Sequence, residues 1–400
     1  MIGRKLTSTL VLAASIGACA FAASPALAQR GVTVGTRMGP GGMDFAAPVN
    51  KADLKRYVAL LALDEDQTMV AEELLAAMQT EHDVLAKQAR KDSERIINEF
   101  RDSQDPSVFG EEMPKVMETY QAGSASLQAR YFDDLKALLT PQQTERWPKV
   151  ERMHRRTRSL PAGMLSGESV DLVSIVSELE IGTAPDDLAA VLDRYEAELD
   201  RELVERDRVR TERMQGMQGM RGGRMNFDLE RMRTDLAEMR KAGLKVCEVN
   251  KRYARLIEGT LPSDKQRAFA DRVKKDSFPR IYRDTHTAKC LAAAAAYKDL
   301  SAEQASAIAE LRERYQREAA SINDRWAQAQ EATEADGGGD PFAMFMGGGE
   351  DGPVADARKA KRDLDRTTRD KLLALLSEEQ KERLPEREDD GPGMMFRMGG

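Results

Sequence analysis

The chain has 400 residues, of which 32% are charged and 5% aromatic, and its formal net charge is −7. Because the chain is acidic, neither nucleic acid nor an anionic membrane surface is expected as its main partner. The composition is typical of a globular protein rich in solvated helix surface, and it favours a helical bundle over a β-sandwich.

The first 28 residues have the pattern of an export signal. Two basic residues precede an uncharged apolar run, and the A-x-A site Ala26-Leu27-Ala28 predicts cleavage after Ala28. The motif "IGAC", which ends at Cys19, leaves a lipoprotein acylated at that cysteine as the alternative. Removal of residues 1–28 would change the net charge from −7 to −9. We therefore expect a periplasmic or secreted protein, and no later run approaches the ~18 apolar residues of a transmembrane helix.

A short motif recurs along the rest of the chain. Its fullest copy is "LTPQQ" at 139–143, and the variants are "LDEDQ", "LPSDKQ", "LSAEQ" and "LSEEQ". In each copy a Ser, Thr or Asp precedes a Gln by three positions, which is the spacing of a helix-capping box. The predicted capping residues, each with its preceding leucine, are Leu63, Asp64, Gln67, Leu139, Thr140, Gln143, Leu261, Ser263, Gln266, Leu300, Ser301, Gln304, Leu376, Ser377 and Gln380.

The copies are regularly spaced. Gln67 and Gln143 are 76 residues apart, and so are Gln304 and Gln380. Apolar residues recur at intervals of three and four between the copies, which predicts long amphipathic helices, and no strand-like alternation occurs. We therefore predict an all-α protein without β-sheet, made of three tandem units. The predicted units cover residues 51–160, 168–280 and 281–385.

Each unit is predicted to fold back as a hairpin of two long antiparallel helices, since a long helix with a single apolar seam cannot bury that seam alone. Gly- and Pro-bearing segments at 102–114, 214–227 and 336–353 break the helical pattern and are the expected tips. Residues 29–50 and 386–400, which contain several Gly and Met residues, are predicted to be disordered tails.

This arrangement resembles the Spy/CpxP group of periplasmic stress proteins, which carries two "LTxxQ" motifs at the turns of a long α-hairpin. Residues 139–143 match that motif literally, whereas the other copies have Ser or Asp for Thr, or one extra residue. The resemblance covers residues 51–385, as three fused units instead of the usual single unit that dimerises, so it does not specify an oligomeric state. It implies an ATP-independent chaperone or envelope-stress protein that binds unfolded or envelope proteins, with metal binding in some relatives.

No catalytic constellation stands out. The histidines, His82, His154 and His286, are dispersed, and no phosphate loop, nucleotide fingerprint or Cys/His cluster occurs. We therefore predict a non-enzymatic protein without a cofactor. Cys247 and Cys290 remain after processing; one disulfide between them is predicted for an oxidising compartment, and two buried free thiols are the alternative.

Methionines cluster between the predicted helices and in the tails. Met214, Met217 and Met220 form an M-x-x-M-x-x-M series in the second tip. Thioethers select Cu(I), so this series is a candidate copper site; adaptable apolar contacts and a plain linker are the alternatives. The sequence thus leaves three functional hypotheses: a client-binding helical protein, a copper-binding or buffering protein, and a structural spacer.

Overall fold

The computed structural model describes residues 45–181, 185–218, 229–337 and 352–386. Within these ranges the chain is helical and has no β-strand, which confirms the predicted all-α fold. In chain order the helices are α1 (Lys51–Leu61), α2 (Glu65–Ser103), α3 (Pro106–Ala137), α4 (Pro141–Thr144), α5 (Trp147–Ser159) with a 3-10 turn (Leu160–Ala162), α6 (Leu172–Glu178), α7 (Asp186–Gln218), α8 (Leu229–Thr260), α9 (Ser263–Ser277), α10 (His286–Ala295), α11 (Ala302–Ala335), α12 (Pro353–Leu375) and α13 (Glu378–Glu382).

The long helices pair as three antiparallel hairpins: α2 with α3 (the first hairpin), α7 with α8 (the second hairpin) and α11 with α12 (the third hairpin). The direction follows from two side-chain pairs at different levels of each hairpin. The pairs, two for each hairpin in order, are Gln67–Gln143 and Arg95–Glu112, Tyr195–Asn250 and Arg213–Asp235, and Gln304–Gln380 and Tyr315–Asp365. Similarity of these hairpins to Spy-type units stays a prediction.

Each hairpin has its own apolar core, which the short helices at its open end extend. Burial of one apolar stripe per helix explains why the exposed faces remain charged. Large core side chains are Tyr57, Tyr131 and Trp147 in the first hairpin, Tyr195, Leu203 and Phe269 in the second, and Leu291, Ile308 and Leu372 in the third.

Helix α5 joins the first hairpin to the second. It packs against α1 on one side and α7 on the other. Toward α7, Lys149 pairs with Asp193 and Arg155 pairs with Asp200. Because α5 packs on both sides, the predicted boundary between units at residues 160–168 stays a prediction.

The tip of the first hairpin is much shorter than the predicted segment 102–114. Helix α2 ends at Ser103, and α3 begins only three residues later, with Gly110 and Pro114 inside it. Gln104 takes the left-handed conformation that ends α2, and the Asp105 side chain accepts from the Ser107 amide to cap α3. One left-handed residue and one cap suffice to reverse the chain. The other two predicted tips lie largely outside the described residues.

Residues 45–50 are ordered against the first hairpin, so the prediction of a disordered tail over 29–50 is wrong for this part. Phe45 and Val49 are buried, and Asn50 forms a capping box with Asp53 at the start of α1. These two apolar side chains anchor a segment whose composition alone resembles a linker. Residues 29–44 and 387–400 lie outside the described residues.

Candidate functional site

Two capping boxes meet at the open end of the first hairpin. Asp64 caps α2 and Thr140 caps α4, and each side chain accepts from the amide three residues later. In return, the side-chain oxygens of Gln67 and Gln143 accept from the amides of Asp64 and Thr140, at 3.1 and 2.9 Å. Both boxes are therefore complete, and the prediction of these two helix starts is confirmed.

The same two glutamines also bond across the hairpin. Gln67 Nε2 donates to Leu138 O at 2.7 Å, and Gln143 Nε2 donates to Ala62 O at 3.1 Å. The two side-chain amides also bond to each other, at 2.8 and 2.9 Å. We call this reciprocal pair the glutamine clasp; it satisfies loop carbonyls that the ends of α1 and α3 leave unpaired.

The third hairpin repeats the clasp with one amide–amide bond instead of two. Ser301 and Ser377 cap α11 and α13 in complete capping boxes, as predicted. Gln304 Nε2 donates to Leu375 O at 2.8 Å and to Gln380 Oε1 at 3.2 Å, and Gln380 Nε2 donates to Asp299 O at 3.4 Å. The 76-residue spacing in the sequence is thus the chain length that separates the two glutamines of one clasp.

The copy at Leu261 departs from this pattern, and the prediction of Ser263 as an N-cap is wrong. Pro262 holds the cap position of α9, and Ser263 is the first helical residue without a side-chain cap bond. Because Pro262 adds one residue between the leucine and the serine, the cap shifts by one position. Gln266 Nε2 bonds locally to Leu261 O at 3.0 Å.

A groove lies near the glutamine clasp of the first hairpin, between α1 and the beginning of α2. Its volume is about 430 Å³. Leu54, Val58 and Leu75 give it an apolar floor, which the exposed Ala76 extends. Its charged side chains are Lys51 and Lys55 on α1 and Glu72 on α2. We call this surface the α1–α2 groove.

The surface next to the α1–α2 groove is acidic and partly apolar. A more open depression continues past Thr68, with Asp64, Glu65 and Asp66 beside Met69. Met69 is 56% exposed, and Val84, further along α2, is 66% exposed. Exposed apolar side chains beside a groove are typical of interaction surfaces, and methionine adapts to differently shaped partners. This feature has no sequence motif, because it depends on how α1 packs against α2.

The three histidines lie apart; His82 and His154 are buried, and His286 is half-buried at the start of α10. His82 Nε2 lies 2.9 Å from Tyr120 Oη, and burial lowers its pKa. His154 Nδ1 lies 2.7 Å from Tyr57 Oη, and burial, assisted by the nearby Arg158, lowers its pKa to about 4. In the described part of the chain, His, Cys, Asp and Glu form no group of three that could hold a metal ion.

The structure contradicts the predicted disulfide between Cys247 and Cys290, since both thiols are free and buried. Cys247 on α8 donates from Sγ to Ser166 O at 3.4 Å, and burial raises its pKa to about 12. Cys290 packs in the core of the third hairpin, with Sγ 3.5 Å from His286 Nε2. Each thiol is thus held inside a different hairpin.

The candidate copper ligands lie at the edge of the described structure. Helix α7 continues to Gln218, so the backbone of Met214 and Met217 is helical and does not belong to a tip loop. The side chains of these two residues and the whole of Met220 lie outside the described residues.

No family model, curated protein or solved structure matches the chain. Within the described ranges, no helix is long and apolar enough to cross a membrane. The sequence motifs and the α1–α2 groove are therefore the features of the chain that bear on function.

Proposed function

We propose that the protein is an exported, non-enzymatic protein that binds extended apolar segments of partly unfolded or envelope proteins without ATP. The observation that carries this proposal is the α1–α2 groove, in which an apolar floor lies between lysines on one rim and a glutamate on the other. Apolar burial is non-directional, so such a floor accepts many different side chains. The charged rim attracts segments of mixed charge and keeps the unoccupied groove hydrated.

The helices that form the groove are firmly positioned at their starts. Asn50 and Asp64 cap α1 and α2, and the glutamine clasp ties the end of α1 to α4. A preformed surface loses little conformational entropy on binding, but a shallow groove buries few side chains. Each large apolar side chain of a client gains about 1.5–3 kcal/mol when it is fully buried, so one groove gives weak, reversible binding. Weak binding to many sequences is what an ATP-independent chaperone requires.

The sequence supports the cellular location and the functional class that we propose for the protein. The predicted cleavage after Ala28 supports export, and the resemblance of the paired capping motifs to the Spy/CpxP group supports a chaperone or stress-protein role. The copper and spacer hypotheses stay predictions, since the methionine side chains that a copper site needs lie outside the described residues.

The test is aggregation of a reduced model protein, followed by light scattering without ATP, in the presence of the processed chain. Suppression is expected near stoichiometric ratios. Ala76→Glu places a carboxylate in the floor of the groove, and about 1–2 kcal/mol of lost client binding should raise the concentration needed for suppression roughly tenfold. Ala76 is exposed, so the change should leave the fold intact.

The matched control is Ala77→Glu, which adds the same charge to the next exposed position of α2, outside the groove lining. It should suppress aggregation like the unchanged protein. Equal losses in both variants would mean that the groove is not the binding surface. No suppression by the unchanged protein would reject the chaperone function itself.

A further inference from the structure

A second surface on the first hairpin already holds a peptide segment, which is the chain's own residues 45–50. We call this segment the N-terminal strap. Phe45, only 3% exposed, packs against Ala86 and Ala89 of α2 and against Tyr120 of α3. Its ring meets the Tyr120 ring edge to face, with centroids 4.7 Å apart, and the Arg90 guanidinium lies 5.9 Å from its centroid. Two alanines side by side on α2 leave room for this ring.

The hairpin recognises the backbone of the strap through side chains. Tyr120 Oη donates to Ala46 O at 3.1 Å, and Gln79 Nε2 donates to Val49 O at 3.3 Å. Because a tyrosine hydroxyl has one hydrogen, the 2.9 Å bond between His82 and Tyr120 has His82 Nε2 as its donor. His82 therefore orients the hydroxyl toward the strap. Carbonyl oxygens belong to every peptide, so this recognition does not depend on the strap's sequence.

The strap site also adjoins the α1–α2 groove. Gln79, which donates to the strap, lines that groove as well. An extended segment that enters one site can therefore continue into the other. The pocket itself is made by α2 and α3, which pair through the first core, so it does not need the strap in order to exist.

We propose that this surface is a peptide site for an extended client segment with an aromatic anchor, and that the N-terminal strap is its built-in competitor. The inference rests on the proposed function and names the site and the chemistry of the segment that it accepts. The strap offers the Phe45 ring, the buried Val49 side chain and two carbonyl groups to the hairpin. A client segment with a Phe or Tyr, small residues and then a Val offers the same groups. Client binding then requires release of Phe45.

The experiment measures the fluorescence anisotropy of a labelled peptide with the strap sequence FAAPVN, added to the processed chain. Phe45→Ala should release the Phe45 end of the strap, with Asn50 still capping α1, and bind the peptide at least tenfold more tightly than the unchanged protein. Phe109→Ala is the matched control, since Phe109 pairs with Phe100 on the same hairpin, away from the strap. It should bind the peptide like the unchanged protein.

A second substitution tests the hydrogen bond from Tyr120 to the backbone carbonyl of the bound segment. Tyr120→Phe, combined with Phe45→Ala, removes the donor to the carbonyl and should weaken peptide binding several-fold at unchanged helical circular dichroism. If Phe45→Ala fails to fold, Phe45→Leu replaces it and should give a smaller gain. Peptide binding no tighter in either Phe45 variant than in the unchanged protein, or an equal gain in Phe109→Ala, would overturn the proposal.

The aggregation assay separates this inference from the proposed function. If the unchanged protein suppresses aggregation but neither Phe45 variant gains peptide binding, the strap site is wrong and the proposed function stands. If Phe45→Ala binds the peptide and no variant suppresses aggregation, the strap site stands and the chaperone function falls. If the unchanged protein suppresses aggregation and Phe45→Ala also gains peptide binding, then Phe45→Ala should suppress aggregation at a lower concentration than the unchanged protein.

Discussion

The first and second hairpins share a topology, but different polar chemistry ties a loop to each of them. In the first hairpin, the glutamine clasp ties two loops together with neutral amide groups that remain partly accessible to solvent. In the second hairpin, the loop before α6 is held by a charged and almost fully buried cluster. Glu168 and Arg206 in this cluster are 3% and 4% exposed.

This cluster, which we call the buried hub, connects one loop to both helices of the second hairpin. Arg206 Nη1 donates to Glu168 Oε1 at 2.9 Å. The other carboxylate oxygen of Glu168 accepts from the amides of Met164 and Leu165, at 2.7 and 3.0 Å. From α8, Asn250 Nδ2 donates to Gly167 O at 2.8 Å.

Hairpins of the same architecture can thus be stabilised either by neutral hydrogen bonds or by a buried ion pair. A neutral hydrogen bond in the clasp contributes about 1 kcal/mol, and water can replace part of it when it is lost. A buried ion pair gains little over an apolar pair, but removal of one partner leaves an uncompensated charge at a cost of about 3–5 kcal/mol. The second hairpin is therefore expected to be more sensitive to a single substitution than the first.

Glu168→Ala tests this contrast with the largest expected effect. It removes the buried carboxylate that accepts from Arg206 Nη1 and leaves two loop amides without an acceptor, while Asp207 and Ser159 O still accept from the other guanidinium nitrogens. We expect the free energy of unfolding to fall by about 3–5 kcal/mol. Urea unfolding would measure the change, and hydrogen exchange should localise it to the second hairpin.

Glu205→Ala is the control for that substitution, because Glu205 pairs with Arg208 at an exposed position of the same helix. This pair is exposed to solvent, so we expect no measurable change in the free energy of unfolding. A comparable loss in both variants, or a loss below about 1 kcal/mol for Glu168→Ala, would show that the buried hub is not the sensitive point of this hairpin.

The effect of acidic pH on stability tests helix α5, which joins the first and second hairpins and carries His154. Burial lowers the pKa of His154 from 6.5 to about 4, so the folded protein keeps this side chain neutral where the unfolded chain already binds a proton. The stability that this group contributes is therefore complete above pH 6.5 and is lost as the pH falls toward 4. The expected loss from this residue is about 3 kcal/mol.

His154→Gln isolates this contribution, because glutamine does not titrate and can still bond to Tyr57. Free energies of unfolding of both proteins at several pH values between 7 and 4 give the comparison. The unchanged protein should lose about 3 kcal/mol more than the variant over this range, while carboxylate titration affects both alike. Parallel curves would mean that His154 is protonated as readily in the folded protein as in the unfolded chain.

These features differ in how far the sequence could predict them. The complete capping boxes were predictable because a cap and its glutamine are only three residues apart. The buried hub was not, since Glu168, Arg206 and Asn250 are far apart in the chain and resemble ordinary charged or polar helix residues. The N-terminal strap was missed because the composition around it outweighed two apolar side chains. The α1–α2 groove depends on the packing of two helices, which no local pattern encodes.

The smallest predicted effect compares one glutamine of a clasp with the glutamine that stands alone. Gln143→Ala removes the bond from the Thr140 amide, the bond to Ala62 O and the pairing with Gln67, so we expect a loss of about 1–3 kcal/mol. Gln266→Ala removes one local bond to Leu261 O and should cost about 0.5–1.5 kcal/mol.

A double-mutant cycle decides whether the clasp acts as a unit. If the two glutamines support each other, Gln67→Ala combined with Gln143→Ala should cost less than the sum of the single changes, by at least about 0.5 kcal/mol. Additive costs would mean that each box only caps its own helix. In that case the 76-residue spacing would reflect equal helix lengths alone, and Gln266 would differ from the other glutamines only in its cap.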